Sequence, residues 1–348
     1  MRFQPGERTY IIAEIGANHN GDLGLARKMV RNAKELGCDC AKFQSWDVGL
    51  FSQVVYDQNY FLADDYRNRT DYTLKEIVAE FALSPDELSE LSEYCRKLGI
   101  DFASTPFSPD QLRHLVELDV PFIKIASMDL NNDSLLRLAA ETGRTILLST
   151  GFGTLTEIDH AIRTIEDAGN RDIVVLHCIS LYPPADDQVN LNNMDMLRQA
   201  FGYPVGFSDH TLGTEISLAA IAKGAVVLEK HFTLDKETEG WDHRVSADPE
   251  EMAVLVKGAR RIHAALGSAR RTVSREERER RRAYRRSVIS ARDIKAGEVI
   301  AETDLDFKRP GTGIEPNMVS LLVGMVAVRD IPSDTVIQLT DLQIKPGA

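Results

Sequence analysis

Side chains able to do chemistry recur in this chain at the ends of short apolar runs. Glu14 closes the run Tyr10–Ile15, and Lys42 and Gln44 close Cys40–Gln44. Lys124 and Ser127 stand at the end of Phe122–Ala126, Ser149 ends Thr145–Ser149, and His177 ends Ile173–His177. Ser208 and His210 follow Pro204–Phe207, and Lys230 and His231 follow Ala225–Glu229. Lysine is seldom buried unless paired, yet Lys42 and Lys124 are flanked by apolar neighbours in Ala41-Lys42-Phe43 and Ile123-Lys124-Ile125. That pattern suits a substrate carrying phosphate or carboxylate, with Ser127, Ser149 and Ser208 adding hydroxyl donors for phosphate oxygens. The plain alternative is a lysine that runs its stem to the end of a strand or pairs with a structural carboxylate. His210 and His231 suit a shared divalent ion with a position open to substrate, or are hydrogen-bonded structural imidazoles. Glu14, Asp129 and Asp242 are candidates to complete an ion site through water, and a partly hydrated site suits manganese or magnesium.

The elements that must position these residues follow from the spacing. Between the apolar runs lie amphipathic stretches with apolar residues three or four apart: Leu23–Leu36, Pro85–Leu98, Asp110–Leu118, Ser134–Thr142, Leu155–Ala168 and Thr214–Ala222. Glycines 37, 99 and 143 read as helix stops, and Ser84-Pro85-Asp86-Glu87 as a start with a capping box. With Asp101–Ser104 included, eight strands alternate with helices over residues 1–269, which predicts a closed parallel (β/α)8 TIM barrel. The carboxyl ends of such strands share one face, which explains why several of them end in lysine, serine or histidine. An open doubly wound sheet is the alternative, but Gly16-Ala17-Asn18-His19-Asn20-Gly21 lacks dinucleotide-loop spacing. The long connection 45–83 carries Trp46, Phe51, Tyr56, Tyr60, Phe61, Tyr66 and Tyr72, and is expected to be a lid or an interface. Residues 270–286 hold nine arginines and three glutamates and read as a basic, solvated linker helix. Residues 287–348 read as a small, mostly β domain.

Composition bounds the partners. The chain has 348 residues, 43% hydrophobic and 27% charged, with a formal charge of -12. That acidity argues against nonspecific nucleic-acid binding and requires a local cationic pocket for an anionic substrate. Cys38, Cys40, Cys95 and Cys178 have no zinc spacing and read as buried free thiols. No apolar stretch is long enough to cross a bilayer, and Met1–Arg8 has no apolar signal core, so the expected location is the cytoplasm.

The chemistry-bearing strings resemble the N-acetylneuraminate (sialic acid) synthase family. They include Ala13-Glu14-Ile15-Gly16-Ala17-Asn18-His19-Asn20-Gly21, Lys42-Phe43-Gln44, Ser104-Thr105-Pro106-Phe107, Lys124-Ile125-Ala126-Ser127 and Ser149-Thr150-Gly151. Further on come Tyr182-Pro183, Ser208-Asp209-His210-Thr211-Leu212-Gly213 and Glu229-Lys230-His231-Phe232-Thr233-Leu234. The tail resembles the family's antifreeze-like (SAF, β-clip) domain through Ala291–Glu298 and Lys308-Arg309-Pro310-Gly311.

The resemblance implies a transferase that forms a C–C bond between phosphoenolpyruvate and an amino-sugar aldehyde. It implies a domain-swapped homodimer in which the small domain covers the partner's site. By the same resemblance Lys42, Lys124, Ser127, Ser149, Ser208 and His210 hold phosphoenolpyruvate, and His210 and His231 bind manganese or magnesium. Glu14 and Asp242 match acidic residues of the metal's water shell, Gln44 and Tyr182 match sugar-pocket positions, and Arg309 matches an arginine donated across the dimer. Met128-Asp129 replaces the family's common Gly-Glu, Ser180 its asparagine and Trp241 its proline. These departures lie near the sugar; N-acetylmannosamine is the first choice of acceptor, the legionaminate and pseudaminate precursors are close alternatives, and mannose is a more distant one. Two other readings stand beside this one: a Schiff-base aldolase acting through Lys124 or Lys230, and a non-catalytic sugar-binding protein.

Overall fold

The computed structural model describes residues 3–58 and 73–345. Tyr60, Phe61, Tyr66 and Tyr72, part of the expected lid or interface, lie outside the described residues. The chain divides into two compact units, residues 1–267 and 268–348.

In the first unit eight strands form one parallel sheet: β1 (Tyr10–Gly16), β2 (Cys40–Gln44), β3 (Asp101–Thr105), β4 (Phe122–Ile125), β5 (Thr145–Ser149), β6 (Ile173–Cys178), β7 (Val205–Asp209) and β8 (Val227–His231). β1 pairs with both β2 and β8, which brings the first and last strands together, and β3 lies against β4 at the remaining seam. This is the expected barrel. The strands are buried almost throughout, as parallel strands covered on both faces must be.

The two-residue period of a strand sorts side chains between the barrel interior and the helical layer. Ile12, Cys40, Ala103, Phe122, Leu147, Val174, Leu176 and Val227 form one interior cluster, while Ile11, Ala13, Ile15, Ala41, Phe43 and Leu228 pack in the outer core with the helices. Counting on by two from the interior set reaches Glu14, Lys42, Gln44, Thr105, Lys124, Ser149, Cys178, Glu229 and His231. The carboxyl end of the barrel interior is therefore polar, above an apolar plug. Asp209 and Lys230 have the opposite parity and belong to the outer layer.

Helix ends follow the sequence signals. Ser84 and Glu87 form the expected capping box, and Gly37 and Gly99 close their helices in the left-handed conformation. Two expectations change. β7 and β8 begin and end later than expected, so Ser208, Asp209, Lys230 and His231 lie inside the ladder. Ser208, Asp209 and Lys230 each find a partner across the sheet or in the next layer, so the strands do not stop at the first polar residue. The 45–83 connection also carries helices, at Gln53–Gln58 and Leu74–Phe81. Tyr56, Leu74, Ile77, Val78 and Phe81 bury with Trp46 in a satellite core.

The second unit opens with the arginine-rich helix Arg275–Tyr284, which buries none of its residues. Ser287–Ser290 then pairs antiparallel with Leu305–Lys308, and Val326–Ala327 with Leu342–Gln343. Val288, Ile294, Ile300, Leu322, Ala327, Ile331 and Ile337 form its core. Arg309 is exposed, with its guanidinium carbon 5.4 Å from the centre of the Tyr284 ring.

Candidate active site

Strand register assembles the site. Glu14 lies opposite Lys42 on one side and His231 on the other. The Lys42 Nζ is 2.6 Å from Glu14 Oε2, donates to Thr105 Oγ1 at 2.9 Å, and lies 3.5 Å from Glu229 Oε2. Lys124 Nζ lies 3.3 Å from Glu229 Oε1, which also accepts from Ser208 Oγ at 2.8 Å. Gln44 Nε2 donates to Glu14 Oε1 at 3.1 Å. Two buried lysines and two buried carboxylates thus form one connected set. Glu229 was missed by the sequence reading. Its position two residues before His231, on the same face of β8, is the signal that identifies it.

The two carboxylates differ in character. Burial pushes Glu14 up to about 7 against the pull of Lys42. Burial acts the same way on Glu229, but Lys124 and Lys42 together hold it well below the usual carboxylate range. A Glu229 left without its lysines would be an uncompensated buried charge.

Beside this set lies a group of small polar side chains. Gly151 N donates to Ser127 Oγ at 3.1 Å, and Ser127 Oγ meets the Cys178 thiol at 3.5 Å. Ser149 Oγ is buried and has no hydrogen-bond partner among the described residues. A buried hydroxyl without a partner is uncommon, and a ligand oxygen is one way to satisfy it. A Cβ on Gly151 would overlap the hydroxyls of Ser180 and Ser127. Rotation can clear the hydroxyls but not the Ser127 Cβ, 3.0 Å away, and it gives up the bond from Gly151 N, so Gly151→Ala is expected to fold with a lowered melting temperature. It is expected to raise the Michaelis constant of an anionic substrate several-fold, as steady-state kinetics would read.

The imidazoles of His210 and His231 lie with ring centres 5.4 Å apart, and Tyr182 stacks on His210 at 4.1 Å. His210 Nδ1 donates to the Ile179 carbonyl at 2.9 Å, which fixes the ring. His231 Nδ1 is buried, makes no hydrogen bond among the described residues, and lies 3.6 Å from Asp242 Oδ2. Burial raises Asp242 to about 6, against the opposing charge of His210. Among the described residues no three His, Cys, Asp or Glu side chains gather as a complete ion cage. Two imidazoles with an adjacent carboxylate instead fit an ion that keeps much of its water. A Cβ on Gly16 would stand 3.3 Å from Gln44, 3.4 Å from Glu14 and 3.6 Å from Asp242, so these three converge around that glycine.

Asp129 sits in the short turn Ser127–Asp129 after β4, raised by burial and opposed by a hydrogen bond from Asn132. His177 is turned to the outer layer, where it stacks on Phe207 and bonds the Val189 carbonyl at 2.7 Å. Of the candidate residues, all but Arg309 belong to the barrel unit, and Arg309 lies in the second unit.

A model of the NeuB family matches residues 29–271, and a model of the SAF domain matches residues 285–343. The chain belongs to the NeuB family. It is 40% identical over 90% of its length to the N,N'-diacetyllegionaminic acid synthase of Legionella pneumophila, covering 89% of that protein. It is 37% identical over 95% of its length to the N,N'-diacetyllegionaminic acid synthase of Campylobacter jejuni, covering 99% of it. The crystal structure of the N-acetylneuraminic acid (sialic acid) synthetase of Leptospira borgpetersenii superposes with a TM-score of 0.69 at 34% identity, over 79% of this chain and 90% of that one. The resemblance read from the strings is thereby borne out, as are the barrel and its C-terminal SAF domain. Within this NeuB-family barrel, Lys230 faces the outer layer in an ion pair with Asp209, which removes it as the Schiff-base lysine.

Proposed function

We propose that this NeuB-family chain condenses phosphoenolpyruvate with an N-acetylated amino-hexose aldehyde, releasing phosphate and forming a nonulosonic acid. The buried Lys42–Glu14 and Lys124–Glu229 set beside the His210–His231 pair carries this reading. The lysines and the hydroxyls of Ser127, Ser149 and Ser208 would hold phosphate and carboxylate in line, a proximity effect. The methylene carbon of phosphoenolpyruvate attacks the aldehyde carbon, and positive charge develops at the carbon bearing phosphate. Water adds there, its proton passes to a carboxylate, and C–O cleavage expels phosphate. Asp242, raised to about 6, is ionised near neutral pH and still basic enough to take that proton; Asp129 is the alternative. Manganese or magnesium held by His210 and His231 would polarise the aldehyde oxygen as a Lewis acid. Gln44 and Tyr182 would meet the sugar.

The similarity to two diacetyllegionaminic acid synthases ranks the diacetamido-trideoxyhexose precursor of legionaminate ahead of N-acetylmannosamine as acceptor. Phosphate release from phosphoenolpyruvate, measured with these two sugars, the pseudaminate precursor and mannose, tests both statements. Release with no aldehyde in the panel would sink the reading, and a preference for N-acetylmannosamine would sink the choice of sugar. No helix among the described residues is long and apolar enough to cross a membrane; we place the enzyme in the cytoplasm.

The family resemblance also supports a homodimer in which Arg309 serves the partner's site. Guanidinium offers a planar fork of donors suited to a substrate carbonyl, and losing one charged hydrogen bond costs about 1.5–3 kcal/mol. Arg309→Ala is therefore expected to weaken sugar use about ten- to a hundred-fold, with phosphoenolpyruvate binding little changed. Mixing Arg309→Ala and His231→Ala chains should restore some activity. Confirmed subunit exchange without recovery would show that the arginine does not act across the dimer.

A further inference from the structure

Behind His210 lies a third buried ion pair, one that the proposed chemistry does not use. Asp209 and Lys230 face each other in the β7–β8 register, 2.8 Å apart, and both are about 1% exposed. Asp209 Oδ1 accepts from the backbone N–H and from the hydroxyl of Thr211, each at 2.8 Å. Asp209 Oδ2 accepts from Lys230 and from Ser217 Oγ, in the helix Glu215–Ala222. Lys230 Nζ also donates to the Thr211 carbonyl at 2.7 Å. The backbone N–H and C=O of Thr211 are thus both taken by this one pair.

We infer that the Asp209–Lys230 pair is a positioning device that sets the spacing of His210 and His231. His210 is the single residue between Asp209 and Thr211, so the chain is clamped on both sides of it. His231 directly follows Lys230, so the same contact fixes the end of β8. The strand alternation that aims Ser208, Glu229 and His231 into the barrel aims Asp209 and Lys230 away from it, so the pair touches no substrate. It works through the backbone. A buried ion pair is weak evidence for stability and better suited to specifying one arrangement.

This inference rests on the metal reading, so its test has readouts on both sides of it. The full-length double variant Asp209→Asn/Lys230→Met keeps the buried charge balanced, and Ser217→Ala is a milder probe that keeps the pair. In metal-free protein, amide exchange in residues 209–213 should speed at least tenfold in the double variant. Manganese affinity, measured by electron paramagnetic resonance, should fall at least tenfold while the protein stays folded. Ser217→Ala should lower manganese affinity two- to fivefold, and it decides the matter alone if the double variant does not fold. Unchanged exchange, or manganese affinity within twofold of the wild type in folded double variant, would overturn the proposal, as would wild-type affinity in Ser217→Ala. A wild-type chain that binds no manganese would sink the metal reading instead. The positioning role would then stand or fall on turnover, and unchanged kcat in the folded variant overturns it.

Discussion

Replacing Lys124 with methionine is expected to lower kcat/KM for phosphoenolpyruvate by about 10²–10³-fold, the scale of losing one preorganised electrostatic contact. The Michaelis constant for the sugar should move far less. Methionine keeps much of the stem's volume, so the change removes charge rather than packing. Lys42→Met should give a loss of the same order, but the two variants should differ in stability. Lys124→Met leaves Glu229 with Lys42 alone, at 3.5 Å, and breaking a buried pair costs about 3–5 kcal/mol. Lys42→Met bears mainly on Glu14, already raised to about 7. That group can take up a proton near neutral pH and escape most of the penalty. Denaturant titration at pH 7 should therefore rank Lys124→Met as the less stable of the two. Normal turnover with an unchanged Michaelis constant for phosphoenolpyruvate would show that both lysines serve only the fold.

Removal of divalent metal should abolish turnover, and manganese should restore it. His231→Ala should lose manganese affinity and activity together while its unfolding transition stays cooperative. The expectation rests on the orphaned His231 Nδ1 and on the separation of the two rings. Full activity in a preparation stripped of metal, checked by elemental analysis, would remove the Lewis-acid role. Phosphate release should stop with condensation, since both belong to one reaction.

Much of this was legible before any coordinates. The barrel follows from strands and helices alternating with clear stop signals, and Cys40–Gln44 and Thr145–Ser149 appear with the expected bounds. Lys42 and Lys124 stood out because charge inside an apolar run demands a reason. Glu229 did not, because a carboxylate next to Lys230 looks like a local charge pair until strand parity sends the two to opposite faces. Lys230 was misread for the same reason. A lysine beside a histidine at a strand end seemed available for catalysis, whereas its partner lies on the neighbouring strand in the outer layer. The helices within 45–83 were obscured because aromatic residues there follow no clean helical period, and Leu74–Phe81 is short. Its capping box, Thr73 with Glu76, was the local sign that a helix begins.

The chain has only two tryptophans, and they form one contact: Trp46 and Trp241 meet edge to face with centres 4.6 Å apart. Trp46 follows β2, and Trp241 immediately precedes Asp242 in the loop after β8. Tryptophan emission, excited selectively over the nine tyrosines, therefore comes from a single spot beside the candidate acid–base residue. Stopped-flow fluorescence, with no added label, should report when that loop shifts. A sugar-induced signal that appears only once phosphoenolpyruvate is bound would show that phosphoenolpyruvate binds first.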